Sequence, residues 1–425
     1  MPLAGLLEKL YARRRFGIRP GIGRVSALLH RLGNPEKSFR TIHVVGTNGK
    51  GSTTAFLSSI LCAAGHCTAR FTSPHLVNFS ERFCIDGKEP EACRLAILLE
   101  KVLALAPEET TFFEIVTALA AALFAEERVE VAVMEAGMGG CSDATAALPG
   151  MMTVITPISL DHCDYLGVNL EQIAAEKVAI AKPGTPVISA RQEHTVGDII
   201  QSYCAYGESR LLQSEVDFSA AWDGAGHVRY RGIHGEHLQL KPGIPGRYQL
   251  ENASLALAAA ETADGLGIHV PRAALVSGIS AASWPGRMEL IPGQPRLLLD
   301  GAHNQSGAEA LAEALTDYHY ERLLLVTGVM ADKDAAALLA PLASRADGCY
   351  CVTPDIERAL DDKTLAAILT RMGFVARACG GVGSGIETAR HEARPADLIL
   401  VAGSLFTVGE AKAWLTGKVF EGIRG

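Results

Sequence analysis

Two textures alternate along the chain. Short runs of β-branched and aliphatic residues are separated by longer stretches in which apolar positions recur every three or four residues. The runs Thr41–Val45, Cys67–Phe71, Val129–Met134, Met152–Ile158 and Thr185–Ser189 read as buried strands. The stretches Arg24–Leu32, Thr53–Ala64, Glu91–Ala106, Phe112–Glu126 and Glu171–Ala181 read as helices. Such β/α alternation predicts a mostly parallel sheet covered on both faces.

The texture changes from Arg210 to Leu240, where short alternating segments carry Gly224, Gly226, Gly232 and Gly235 and predict a small antiparallel insertion of hairpins. An alanine-rich helix follows at Asn252–Ala263. Trp284-Pro285-Gly286-Arg287 through Pro295 reads as a linker, because prolines and glycines cluster there between periodic blocks. Beyond it, strand-like runs (Arg296–Leu299, Arg322–Thr327, Gly348–Thr353, Leu398–Ala402) alternate with helical ones (Gly307–Leu315, Ala335–Ala343, Lys363–Arg371, Gly383–Arg390). The expected fold is α/β: a P-loop-type, mostly parallel sheet domain with a small antiparallel insertion over residues 1–287, then a smaller Rossmann-like α/β domain over 288–425. At 425 residues the chain is long for one core, which agrees with two domains.

Composition narrows the partners. A formal net charge of −8 argues against a general nucleic-acid binder and leaves small anionic metabolites, held by local basic residues. The 10 cysteines include no C-x-x-C pair, as expected of reduced cytosolic thiols. The segment Met1–Arg15 lacks the apolar core and small-residue cleavage site of a signal peptide. The long uncharged stretch Ala144–Leu160 is broken by Pro149, Gly150 and Pro157, so no membrane span is expected. A cytoplasmic monomer acting on small molecules is the expectation.

The chemistry is concentrated first in Gly46-Thr47-Asn48-Gly49-Lys50-Gly51-Ser52, between a strand and a helix. A strand that turns through glycines into a helix N-terminus offers free backbone N–H groups, a positive dipole end and a lysine to a polyphosphate. The motif departs from a strict Walker A sequence, since Val44 stands in place of the first glycine and Gly51 separates the lysine from the hydroxyl residue. A nucleoside triphosphate is the predicted ligand.

Other candidates gather at strand ends. Glu135 closes the run Val129–Met134 and precedes Gly137-Met138-Gly139-Gly140, a placement suited to the cation that accompanies a nucleotide. Asp161-His162 ends another run, and Lys177 sits on a largely apolar helix. Lys177 reads either as a snorkelling or ion-paired lysine or, if it loses its proton and adds CO₂, as a carbamate able to bridge two cations. Arg287 and the cluster Asp300-Gly301-Ala302-His303-Asn304 fall where two units would face each other across a cleft. Asn252 reads by default as an N-cap. Phe113 is either a core position or a ring that stacks on a flat aromatic substrate.

Taken in order, these segments resemble the folylpolyglutamate synthase/dihydrofolate synthase family of the Mur-ligase superfamily. The resemblance also rests on Thr72-Ser73-Pro74-His75-Leu76 with Phe79, Glu81 and Arg82, on Thr111-Phe112-Phe113-Glu114, and on Asp143-Ala144-Thr145. Further on it rests on Glu176-Lys177, Gly328-Val329-Met330 with Asp332-Lys333-Asp334, and Gly403-Ser404-Leu405. It implies a ligase that joins L-glutamate to a folate or dihydropteroate carboxylate through an acyl phosphate, using ATP and two Mg²⁺ ions. By the same resemblance Thr47, Asn48, Gly49, Lys50, Gly51 and Ser52 hold the phosphates, and Asn252, Arg287 and Asp300 contact ATP. Ser73, Glu135, His162 and a carbamylated Lys177 would hold metal. His75, with the loop around it, and Thr111, Phe113 and Asp143 would border the pteroate, while His303 and Ser404 would face glutamate.

Cys141-Ser142, Ala146, Cys163 and Gln305 depart from the family's arginine-leucine, asparagine, threonine and proline. Two alternatives stay open at this point: a Mur-type ligase acting on a UDP-linked precursor, and a nucleotide switch without ligase turnover.

Overall fold

The computed structural model describes all residues except 1, 14–16, 18, 162, 225, 236 and 423–425. Seven strands form the first sheet: β1 (Arg40–Val45), β2 (Thr68–Phe71), β3 (Phe83–Ile85), β4 (Val131–Glu135), β5 (Gly150–Ile155), β6 (Val187–Ser189) and β7 (Leu211–Gln213). Their order is β3-β2-β4-β1-β5-β6-β7, and only the edge strand β3 runs antiparallel. From β1 the chain moves out to β2 and β3, returns through β4, then passes to the other side of β1 as β5. The mouth of β1 is therefore a topological switch point, where open α/β sheets hold ligands.

Alternation along the strands feeds two separate cores. Val131 and Val133 of β4 join Ala55, Phe56 and Leu57 of the helix Lys50–Ala63 on one face. Ala132 and Met134 join Ile115, Leu119 and Leu123 of the helix Phe112–Glu126 on the other. That second helix is apolar all round and buried, and its start is fixed by a reciprocal cap in which the Thr111 N–H donates to Glu114 Oε2 (2.7 Å) and the Glu114 N–H to Thr111 Oγ1 (3.4 Å).

The antiparallel insertion is smaller than its sequence texture implied. β7 belongs to the parallel sheet, and only β8 (Ser219–Trp222), β9 (Val228–Arg231) and β10 (His237–Leu240) make a three-stranded meander. Glu261 ties it to the helix Gln249–Gly265, accepting from Tyr230 Oη (2.8 Å) and the Ile233 N–H (3.1 Å). The second unit carries β11 (Glu289–Ile291), β12 (Arg296–Leu299), β13 (Leu323–Thr327), β14 (Gly348–Cys351), β15 (Ala376–Ala378) and β16 (Leu398–Ala402) in the order β11-β12-β16-β13-β14-β15. β11 is antiparallel to β12, so part of the expected linker is an edge strand. Lys412 Nζ holds Glu289 at 2.8 Å there.

A close crossing packs the helix that follows the glycine loop. The helix Arg272–Ala281 meets Lys50–Ala63 where a Cβ on Gly278 would lie 2.4 Å from the Ile60 Cα, and Ser59 Oγ donates to the Gly278 carbonyl at 2.7 Å. Gly278→Ala must push the two helices apart and should lower stability by about 1–3 kcal/mol. A urea titration should show a lower midpoint with an unchanged slope.

Candidate active site

The glycine loop is shaped by crowding. Gly46 has φ +146° and its Cβ position lies 2.0 Å from Thr156 Oγ1; Gly49 has φ +87° and 2.1 Å to Asn252 Oδ1. Only glycine fits either place. The Thr47 and Asn48 N–H groups donate to the Pro157 carbonyl (3.0 and 3.3 Å), while Thr47 Oγ1 donates to the Ser159 carbonyl (3.0 Å) and accepts from the Ser159 N–H (3.1 Å). Lys50 opens the helix, and its Nζ folds back onto the carbonyls of Gly46 (3.3 Å) and Thr47 (3.1 Å).

Strand register delivers a carboxylate beside this loop. Glu135 pairs with Val44, two residues before Gly46, and Ile155 pairs with Val45 from the other side. Glu135 is 5% exposed and accepts one hydrogen bond at Oε2, from the Ser73 N–H at 3.2 Å. Burial pushes its carboxyl up to about 7, against the pull of Lys50, the Ser73 N–H, Arg287 and Arg82.

Lys177 comes in on the last turn of the helix Leu170–Val178, buried, and its Nζ donates to the Gly46 carbonyl at 2.7 Å. One carbonyl thus receives both lysines. Burial, then the charge of Lys50, lowers the Lys177 ammonium to about 7, while Asp161, Asp143 and Glu176 oppose the shift. His162 lies outside the described residues. Its neighbour Asp161 is held by Lys333 of the second unit at 2.9 Å. Among the described residues no three His, Cys, Asp or Glu side chains converge as a ready metal cage. An ion such as Mg²⁺, which keeps several waters and shares substrate phosphates, needs none.

The loop after Glu135 is bound to the Lys177 helix. Glu176 accepts from the Gly140 and Ser142 N–H groups (3.4 and 3.1 Å), from Cys141 Sγ (3.2 Å) and from the Ser142 hydroxyl. A Cβ on Gly140 would stand 2.2 Å from the Glu176 carbonyl oxygen. The residues at 141 and 142 therefore act as donors to the carboxylate next to Lys177. Asp143 organises the same loop from inside, accepting from Met138 N–H (2.9 Å), Thr145 N–H (2.9 Å) and Thr145 Oγ1 (2.6 Å).

Several other sequence candidates have structural partners of their own. Asn252 is not an N-cap: its helix starts at Gln249, and its amide donates to Gln249 Oε1 (2.8 Å) while backing Gly49. Thr111 is a cap, as described above. Ser404 caps the helix Leu405–Thr416, accepting from the Thr407 N–H at 3.1 Å. Asp300 is buried and takes Tyr248 Oη (2.6 Å), the Met288 N–H (2.9 Å) and the Ala302 N–H (2.9 Å). Phe113 lies half-buried against Phe71, with its ring covering Gly137 beside Glu135.

His75 is buried between Arg82 Nε, which donates to Nδ1 at 2.9 Å, and the Gly422 carbonyl, 3.3 Å from Nε2. Burial and then Arg82 hold its pKa well below the ordinary value, so it is neutral. His303 Nδ1 lies 2.9 Å from the Gly301 carbonyl; burial lowers its pKa to about 4, with Arg287 and Lys333 adding to the effect.

Sequence reasoning missed most contacts between the two units. Asn48 of the glycine loop and Asn304 exchange amide hydrogen bonds (3.3 and 2.9 Å), and Ser306 Oγ accepts from Asn48 at 2.8 Å. The Arg287 guanidinium sits against Gly301, where a Cβ would lie 2.5 Å from Nη1. Trp284 covers Gly51 and carries the Arg70 guanidinium 4.8 Å above its ring. Motif membership alone flagged Lys333; nothing local marked Tyr248 or Ser306.

The glycine loop, the buried carboxylate and the second α/β unit closing over them are features of an ATP-binding ligase fold, and the chain matches two patterns of that class. The Mur ligase middle domain matches residues 44–260, and the Mur ligase glutamate ligase domain matches residues 286–405. Within this class the chain belongs to the dihydrofolate synthase/folylpolyglutamate synthase family. It is 34% identical over 416 residues to the Escherichia coli dihydrofolate synthase/folylpolyglutamate synthase, covering 96% of this chain and 94% of that one. The structure of E. coli FolC in complex with DHPP and ADP superposes with a TM-score of 0.90 at 31% identity, over 98% of both chains. A bifunctional folylpolyglutamate synthase/dihydrofolate synthase with Mn, AMPPNP and L-glutamate bound gives a TM-score of 0.86 at 30% identity, again over 98% of both. Against one longer curated relative, a probable bifunctional folylpolyglutamate synthase/dihydropteroate synthase of Halobacterium salinarum that is 35% identical, this chain spans 50% of the relative's length.

The raised Glu135 pKa has a stability consequence. Between the ordinary value of 4.5 and about 7, the folded protein holds a proton that the unfolded chain has lost. Stability of the metal-free protein should therefore fall as pH rises through that window and flatten above it. Glu135→Gln removes the dependence. The variant should melt above the wild type at pH 8, with the gap closing towards pH 4.5, as read by calorimetry in a chelator.

Proposed function

We propose that the chain is an ATP- and Mg²⁺-dependent ligase that adds L-glutamate to the carboxylate of a folate or dihydropteroate acceptor, releasing ADP and phosphate. The observation that carries this reading is the gathering of Lys50, Lys177 and Glu135 at the mouth of β1: both lysines share the Gly46 carbonyl, Lys50 also reaches the Thr47 carbonyl, and the buried Glu135 has one backbone donor. Such a set is incomplete without a polyanion and a cation. The family's solved members, with a nucleotide, manganese or glutamate in place, support the same occupants here.

The residues fit a metal–triphosphate complex. Glu135 and Ser73, with His162 and Lys177, would hold Mg²⁺, which when bound neutralises phosphate charge and stabilises the transferring phosphoryl group. Thr47 to Ser52 bind and orient the phosphates through the helix N-terminus and Lys50. Asn252, Arg287 and Asp300 would place the remainder of ATP, Arg287 by charge and Asp300 by fixing Met288 and Ala302 on either side of it. Thr111, Phe113, Asp143 and His75 would border the acceptor, and neutral His303 with Ser404 the incoming glutamate.

The acceptor carboxylate attacks the γ-phosphorus, ADP leaves, and the acyl phosphate so formed is captured by the glutamate amine with loss of phosphate. The chain's part is orientation and water exclusion, because an acyl phosphate is lost to hydrolysis in an open site. Residues 1–287 would supply ATP binding and activation, and residues 288–425 the glutamate side. We place this activity in the cytoplasm, in a monomer. Among the described residues no helix is long and apolar enough to cross a membrane.

Lys177 is suited to carbamylation. CO₂ adds only to a neutral amine, and an ammonium lowered to about 7 supplies one near neutral pH. The carbamate would replace a buried cation with an oxygen ligand for metal.

Mass spectrometry of reactions offering ATP, L-glutamate and either dihydropteroate or tetrahydrofolate should show a gain of one glutamyl residue per ADP formed. Glutamate-independent ATP hydrolysis with no such product would refute the assignment. Lys177→Ala should lower kcat by roughly 100-fold or more, the scale on which one buried electrostatic group acts. Lys177→Glu should recover part of it by restoring a carboxylate.

A further inference from the structure

The chain leaves the helix Leu405–Thr416 through Gly417, which has φ +64°, and then turns back onto the first unit. Three hydrogen bonds join this returning segment to one loop. Glu421 Oε2 accepts the Phe79 N–H (2.6 Å), the Glu421 N–H donates to the Val77 carbonyl (3.2 Å), and the Gly422 carbonyl lies 3.3 Å from His75 Nε2. Because His75 Nδ1 accepts from Arg82, the proton on that ring is at Nε2 and points at Gly422.

The loop itself is built to move as a piece. The Glu81 carboxylate collects the N–H groups of Leu76 (2.7 Å), Val77 (3.1 Å) and Asn78 (2.9 Å). Leu76 and Val77 lie in the apolar core of the second unit with Leu297, Leu299 and Val408, although they belong to the first. Gly409 admits the Leu76 carbonyl where a Cβ would stand 2.1 Å away, and the Phe420 ring closes over the same glycine. At the loop's start, the Ser73 N–H reaches Glu135.

We propose that the segment Lys418–Gly422 is a strap that makes the loop 73–82 travel with the second unit, so that movement of that unit sets the acceptor-side loop and the Ser73 amide at Glu135 together. Glu421 is a positioning residue in this arrangement, acting through Phe79 and Val77. The kinetic part of the inference rests on the ligase reading above; the mechanical part does not.

The test compares Glu421→Ala, Glu421→Gln and a chain stopped after Gly417. Hydrogen exchange of peptides covering 74–82 should rise about tenfold in Glu421→Ala, the scale of one lost backbone hydrogen bond, and stay near wild type in Glu421→Gln, which keeps an acceptor. In steady-state assays Glu421→Ala should raise KM for the folate or pteroate acceptor several-fold while KM for ATP stays within about twofold, a split expected of lost positioning. Unchanged exchange in Glu421→Ala overturns the strap, and so does a fall in melting temperature and kcat with acceptor KM unmoved. If the shortened chain does not fold, Glu421→Ala decides alone. If no variant and no wild type makes glutamylated product, the ligase reading has failed, and the exchange result still decides whether the strap exists.

Discussion

Everything at the mouth of the first sheet depends on the Gly46 carbonyl receiving two lysines at once. Lys50 reaches it from the helix that follows the glycine loop, and Lys177 from a helix more than a hundred residues further along. Burial costs Lys177 much of its proton affinity, and the neighbouring charge of Lys50 adds to the loss. Glu135 is the counterweight, yet its own burial holds it half-protonated near neutral pH. The three groups suit the nucleotide and cation proposed above. The sheet order, with β1 between β4 and β5, is what allows the glycine loop, Glu135 and Lys177 to meet at one sheet mouth.

Local rules carried the sequence reading a long way. Gly46 and Gly49 are legible as a tight glycine turn because backbone that must turn sharply into a helix admits few residues, and Thr156 and Asn252 fill the space a side chain would need. Glu135 was visible as the end of an apolar run. The same rules failed where a long-range contact overrides a local habit. Asn252 looks like an N-cap in sequence, but the helix gains a turn ahead of it and the amide is turned towards the glycine loop. Thr111 and Ser404, expected beside the substrates, also cap helices, a role that the spacing Thr111-x-x-Glu114 signals for the first of them. The linker around Glu289 hides a strand, because three residues paired on one side leave no periodic trace.

Contacts between the units were the least legible part, since each partner is unremarkable alone. Asp161 and Lys333 are 172 positions apart, and Asn48 and Asn304 are 256 apart. Nothing in the neighbourhood of either residue announces the other. The sheet of the second unit brings its strand ends to face the glycine loop, and the short polar residues there then find partners across the gap.

Two of the contacts across that gap differ in kind. Lys333–Asp161 is an ion pair with its lysine partly in solvent, and dissolved salt weakens such a pair by screening it. Asn48–Asn304 joins two neutral amides, each giving and accepting, and ionic strength leaves such a pair almost untouched. Raising the salt concentration therefore weakens the ion pair and spares the amide pair, so the contacts between the units do not all respond to ionic strength alike.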